Sequence, residues 1–180
     1  MQLKSTSIAG LIEVQVTLHE DERGAFARTY DDEVFSHANL PTSWPQCNTS
    51  WNRRRGTLRG MHWQAAPKEE PKLVRCTAGR VYDVAVDLRR GSATYLKWFG
   101  VELSANRRNA LFIPSGFAHG FLTLSDDSEV YYQMGAVYDS ALQQGARWND
   151  RSFGIAWPFD AGRRVLTHPT RAARRISRRA

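Results

Sequence analysis

Two of the five histidines in this chain stand where an imidazole could do chemistry. His62 lies in Gly60-Met61-His62-Trp63-Gln64, and His119 lies in Gly116-Phe117-Ala118-His119-Gly120-Phe121. Imidazole, with a free pKa of ~6.5, is the side chain that ordinarily exchanges a proton near neutral pH. Arg59, His62 and Lys72 fall within 14 residues of one another, and Asp83, His119, Tyr131 and Tyr132 follow. If strands bring them to one barrel interior, they would line a concave polar site that holds a base, a proton donor and cations together. Taken singly, each residue also has a plainer reading. Arg59 and Lys72 could be strand-end charges in solvent, Tyr132 a core aromatic, Asp83 a turn-side acceptor, and either histidine a satisfied core residue.

The elements that must position these residues read as short strands. In Arg80 to Leu88, Tyr82, Val84, Val86 and Leu88 point one way and Val81, Asp83, Ala85 and Asp87 the other, a period of two. Tyr95, Lys97, Phe99, Val101 and Leu103 alternate similarly. Turn signals at Gly79, Arg90-Gly91-Ser92, Ala105-Asn106, Pro114-Ser115-Gly116 and Ser125-Asp126-Asp127 recur at the spacing of an antiparallel sandwich or barrel. Only short helices are expected, over Asp31 to Ala38 and Thr170 to Ser177. The fold class is therefore all-β, a small barrel or two-sheet sandwich in which closure hides the strand edges. With no repeat and no linker, residues 1–162 form one expected domain, followed by a basic segment over 163–180.

Charge narrows the function classes. Seven of the 25 Lys and Arg residues are arginines of the 163–180 segment, leaving 18 bases against 18 acids in the body. Basicity confined to a tail does not make a nucleic-acid surface. No apolar run reaches the ~18 residues of a membrane span, and the opening residues do not resemble a secretory signal, so the expected location is the cytoplasm. Cys47 and Cys76 are too few for a disulfide framework and are read as buried thiols. A metal site would need partners for His62, but Gln64, two residues on, is a poor ligand, and the three-ligand count is hard to reach. A Gly-rich phosphate loop and a Gly-x-Ser-x-Gly elbow are both missing. The three tryptophans Trp51, Trp63 and Trp98 are read as packing residues.

Eight runs carry a family resemblance: Asp21-Glu22-Arg23-Gly24, Gln46-Cys47-Asn48, Gly56 to Gln64, Lys72-Leu73-Val74-Arg75, Val81 to Arg89, Ile113 to Phe121, Trp148-Asn149-Asp150 and Ile155-Ala156-Trp157-Pro158. In order along residues 21–158, they resemble the dTDP-4-dehydrorhamnose 3,5-epimerase family. That resemblance implies a cupin-like jelly roll, a homodimer, no cofactor and no metal. The implied substrate is a nucleoside-diphosphate 4-keto-6-deoxyhexose whose carbons 3 and 5 are inverted. It implies His62 as base, Lys72 as the cation facing the enolate and Tyr132 as proton donor, with Tyr131 on the other side of the strand. Arg23 and Arg59 match diphosphate-holding positions, Gln46 and Asn48 further substrate contacts, and His119 a sugar contact whose ring Asp83 would hold.

Three positions depart from the family pattern. An aspartate that orients the catalytic histidine is expected near the C-terminal end, and Leu166-Thr167-His168-Pro169-Thr170 puts Thr170 there. Arg28 and Gln143 stand where acids are common. These departures keep other readings open: a one-carbon epimerase, a ketoisomerase on a related sugar nucleotide, a sugar-nucleotide binding protein of weakened activity, and a metal-dependent cupin.

Overall fold

The computed structural model describes residues 1–158 and the backbone of 166–167. In chain order the strands are β1 (Gln2–Ser5), β2 (Ile12–Gln15), β3 (His19–Asp21), β4 (Gly24–Phe26), β5 (Gln46–Asn52), β6 (Thr57–Gln64), β7 (Lys72–Ala78), β8 (Arg80–Asp87), β9 (Trp98–Ser104), β10 (Ala110–Ile113), β11 (Phe117–Thr123), β12 (Ser128–Met134), β13 (Gln143–Gly145) and β14 (Leu166–Thr167). One helix, α1 (Asp32–His37), interrupts them between β4 and β5. Its boundaries follow from local chemistry: Asp31 is the N-cap, its side chain accepting from the Val34 N–H at 3.2 Å, and Asp32 and Glu33 fill the first turn.

The strands build two antiparallel sheets face to face. The first has the order β1-β2-β10-β7-β12-β5, and the second β13-β6-β11-β8-β9 with β14 added along β6. β3 and β4 form a separate hairpin whose residues are all exposed. The all-β expectation holds, and the alternation read in Arg80 to Leu88 is observed. Val81 and Ala85 join Val74, Leu111, Phe121 and Val130 in the core between the sheets, whereas Val84 and Val86 join Leu58, Met61 and Phe153 on the outer face of the second sheet. A third cluster, with Phe35 of α1 against Val14, Leu73 and Phe112, covers the outer face of the first sheet. Burial on both faces accounts for the apolar residues on either side of β8.

Three expectations need correction. Tyr95 and Lys97 precede β9 instead of belonging to it, because buried Asp87 gathers Ser92 and Thr94 into a tight connection. Cys47 is exposed; only Cys76 is buried, where desolvation pushes its thiol up to about 11. Trp51 is exposed and carries the Arg53 guanidinium over its ring at 5.4 Å, so it is not a core residue. Trp63 and Trp98 do pack, on the outer face of the second sheet. The proposed helix over 170–177 and the proposed segment boundary at 162 lie outside the described residues, apart from the backbone of 166–167. Among the described residues no helix is long and apolar enough to cross a membrane.

Candidate active site

β6 carries the proposed base, and a β-bulge aims it. His119 on β11 pairs with His62, yet Gly120 pairs with Gly60, so Met61 is an extra residue on β6. Met61 is buried with Leu58 on the outer face. Arg59 and His62, three apart, would point to opposite faces of a regular strand; the bulge gives both to the interior. The bulge needs glycine on both strands. A Cβ on Gly60, whose φ is +116°, would lie 2.5 Å from Gly120 Cα, and one on Gly120 would lie 2.7 Å from the Arg59 carbonyl oxygen.

The interior faces of both sheets contribute to one cluster. His119 Nε2 lies 2.8 Å from Asp83 Oδ1, both side chains buried, and the His119 ring meets the Tyr132 ring edge-on at 6.1 Å between centroids. Asp83 thus holds the His119 ring. Arg59 Nε donates to Asn52 Oδ1 at 2.7 Å, and Asn52 is itself fixed by donating to the Ser50 and Ser128 carbonyls. Lys72 is buried at the start of β7 in an ion pair with Glu70. Asn48 stands directly opposite Tyr132 in the β5–β12 register. Tyr131 points away, toward Cys47 and Arg75 on the outer face.

Electrostatics sets the protonation states. His62 remains open to solvent on one side. Desolvation on the other side, then the positive charges of His119, Lys72 and Arg59, hold its pKa below the usual imidazole value, which keeps it neutral and able to accept a proton. Burial lowers the Lys72 ammonium, and Glu70 acts against that. Tyr132 is pushed above the ordinary phenol range by burial and by the charge of Asp83, while a Ser50 hydrogen bond and Arg59 pull the other way. Its phenol is thereby kept protonated.

Two expected site residues are committed elsewhere. Arg23 is 84% exposed on the β3–β4 hairpin and pairs with Asp21 at 2.5 Å, away from the cluster. Gln46 accepts from the Tyr138 N–H and so anchors the segment after β12. Gln64, weighed above as a poor metal ligand, donates to the Lys68 and Val137 carbonyls and accepts from the Asp139 N–H at 2.8 Å, tying two loops together. Arg28 pairs with Asp31 at 2.7 Å, and Gln143 accepts from the Tyr138 hydroxyl at 2.6 Å. Thr170 lies outside the described residues, and among those described no carboxylate hydrogen-bonds His62. Glu70, Ser50 and Asn52 were missed. The last two could have been found, since Gln46, Asn48, Ser50 and Asn52 alternate along β5 as one polar face.

Two facing antiparallel sheets whose interior gathers imidazoles, an ammonium, a guanidinium and a phenol define a class: a cupin-like fold equipped for proton transfer at an activated carbon. Comparison with known proteins is specific beyond that class. Residues 5–177 match the family model described as dTDP-4-dehydrorhamnose 3,5-epimerase. The dTDP-4-dehydrorhamnose 3,5-epimerase of Shigella flexneri is 41% identical over 159 residues, 88% of this chain and 87% of that protein. The solved dTDP-6-deoxy-D-glucose-3,5-epimerase of Legionella pneumophila, in complex with dTDP-4-keto-L-rhamnose, superposes with a TM-score of 0.87 at 32% identity, covering 93% of this chain and 88% of that one. A 3'-monoepimerase from Streptomyces bikiniensis, in complex with dTDP-quinovose, gives 0.79 at 33% identity over 86% and 78%. The chain belongs to the dTDP-4-dehydrorhamnose 3,5-epimerase family, within the isomerase class of enzymes.

Proposed function

We propose that this enzyme converts dTDP-4-dehydro-6-deoxy-D-glucose to dTDP-4-dehydro-L-rhamnose, inverting carbons 3 and 5 by proton transfer. The observation that carries the reading is the pairing of neutral His62 with His119 on adjacent strands, facing Lys72 and protonated Tyr132 from the opposite sheet. The C4 carbonyl acidifies the hydrogens on both neighbouring carbons. His62 takes one; the C–H electron pair becomes a C=C bond, and the carbonyl π pair moves onto oxygen. Lys72, with His119 beside it, faces that oxygen, where stabilising the developing charge lowers the barrier most. Tyr132 gives its proton to the opposite face of the carbon, the enolate collapses to the ketone, and solvent resets both groups. Arg59, held by Asn52, binds the diphosphate through paired guanidinium contacts. Asn48, opposite Tyr132 on the neighbouring strand, contacts the same substrate.

The enzyme acts as a cytoplasmic homodimer on a water-soluble nucleotide sugar. Support for the dimer comes from the β3–β4 hairpin, which stands off its own subunit with Phe26 69% exposed and Arg23 directed to solvent. A second subunit would cover that apolar surface. Arg23 would then reach a diphosphate in its partner's site.

Incubation with the substrate in deuterium oxide tests the chemistry. Label at carbons 3 and 5 is the expected result, and none with His62→Ala. A second reading, epimerisation at one carbon, is favoured by the likeness to the Streptomyces bikiniensis monoepimerase together with Thr170 in place of an acid. Label at a single carbon would select it.

A further inference from the structure

We propose that Glu70 is a positioning residue for this reaction: its carboxylate fixes the Lys72 ammonium in the site and supplies the countercharge that keeps it protonated. The inference rests on the epimerase reading for its kinetic consequence and on the geometry of the pair for its physical basis. Both side chains are more than nine-tenths buried, with 8% of Lys72 and 9% of Glu70 exposed, and Glu70 Oε1 accepts from Lys72 Nζ. Pro71, between them, is clamped: its carbonyl accepts from the Gly135 N–H at 2.8 Å, and a Cβ on Gly135 would lie 2.5 Å from the proline ring. The backbone from which Glu70 reaches Lys72 is thereby fixed to the start of β7.

As structural glue the pair is a poor choice. Buried ion pairs add little net stability over apolar residues of the same size, and Glu70 Oε2 is buried with no hydrogen-bond partner, a cost with no structural return. Its return lies at Lys72. Burial favours the neutral amine, which could not stabilise an enolate. The charged and titratable groups toward Lys72 are His62 and Arg59 on β6, His119 on β11, Asp83 on β8, Tyr132 on β12 and Glu70 itself. Asp83 has its Oδ1 on His119, so Glu70 is the acid in direct contact with the ammonium. Burial opposes protonation of Lys72, and Glu70 offsets it.

The test is the alkaline side of the pH profile. Glu70→Gln keeps the shape and an acceptor oxygen but removes the charge. We expect the alkaline limb of kcat to move about one unit or more toward neutral, about a tenfold loss at a fixed alkaline pH, with KM and the plateau kcat changed only a few-fold. Tyr132, held above the ordinary phenol range, does not supply that limb. Glu70→Asp should restore the limb in part. In parallel, NMR of the full chain with lysine labelled at the ε-carbon should show one resonance, absent in Lys72→Arg, titrating at lower pH in Glu70→Gln than in the unaltered protein. A limb and a resonance that stay put, or a kcat lowered equally at every pH, would overturn the proposal. Should the unaltered protein leave the sugar unlabelled, the epimerase reading fails, while the lysine titration still decides whether Glu70 holds the Lys72 charge.

Discussion

Asp83 and Asp87 stand four residues apart on β8, point to the same face and have no solvent exposure, yet their surroundings differ completely. Asp87 accepts from the Arg89 backbone N–H, from Arg89 Nε and Nη2, and from the Ser92 and Thr94 hydroxyls, at 2.6–2.9 Å. Burial alone would raise its pKa, but those hydrogen bonds outweigh it and hold the carboxyl at about 2. Asp83 accepts at one oxygen only, from His119, and its Oδ2 is buried without a partner. A saturated buried carboxylate shapes a loop. One left half-satisfied beside an imidazole and a phenol belongs to a site that serves chemistry at some cost in stability.

Substitutions can break that contrast. Asp87→Ala leaves the Arg89 guanidinium and two hydroxyls without their acceptor and should cost about 3–5 kcal/mol of folding stability. Denaturant unfolding measures it, and the remaining folded enzyme should keep its kcat within a few-fold. Asp83→Asn should do the reverse. It preserves the side-chain shape, so the unfolding free energy should change by about 1 kcal/mol or less, while loss of the charge beside His119 lowers kcat by about a hundredfold. If Asp87→Ala proved kinetically crippled but stable, or Asp83→Asn unstable but active, the division between a loop-shaping and a ring-positioning carboxylate would be wrong.

How much of this could be read from the sequence depended on whether a residue's role is local. The alternation in Arg80 to Leu88 places Asp83 and Asp87 on one face without a structure, because period two is a property of a single strand. What separates them is not read from the strand: the partners of Asp87 are Arg89, Ser92 and Thr94 in the connection after it, and the turn signal at Arg90-Gly91-Ser92 does not say which side chains reach back. The bulge at Gly60 was hidden as well. Only cross-strand pairing reveals that Met61 is the extra residue and that Arg59 and His62 share a face. Glu70 was overlooked because the resemblance ran from Lys72 onward, and a charge two residues before a strand ordinarily reads as solvated. Arg23 was legible as a motif position but not as a location, since both strands of the hairpin that carries it are exposed and no core fixes where it sits.

Arg59 and Arg23 sharpen the same contrast at the substrate end, one guanidinium anchored inside the fold by Asn52 at 2.7 Å and the other paired with Asp21 on an exposed hairpin. Arg59→Ala should raise KM for the nucleotide sugar about tenfold, the loss of one charge-assisted contact to phosphate, with kcat less affected. Arg23→Ala should have the smaller effect, because an exposed side chain must be ordered before it can bind. In mixed dimers, Arg23→Ala subunits combined with His62→Ala subunits should regain the normal KM at half the sites. An unchanged KM would place the hairpin's action within its own subunit or nowhere.

The smallest effect is the pH dependence of the base. Desolvation first, then the charges of His119, Lys72 and Arg59, hold His62 below the free value of ~6.5, so the acid limb of kcat/KM should fall below pH 6.5. Lys72→Met lowers the height of the profile but also removes one of those charges, and its limb should move back toward 6.5 by less than about one unit. Stability should follow the same group. Between the folded-state pKa of His62 and ~6.5 the unfolded chain binds a proton that the folded chain does not, so folding stability rises with pH across that window and is level for this group above it. The ring keeps one side in water, which screens the charges and limits the gain to under about 1 kcal/mol. His62→Gln should flatten that slope in unfolding measurements taken on either side of the window. A slope that survives the substitution would assign it to another group, and an acid limb at or above 6.5 would mean that the positive neighbours do not act on His62.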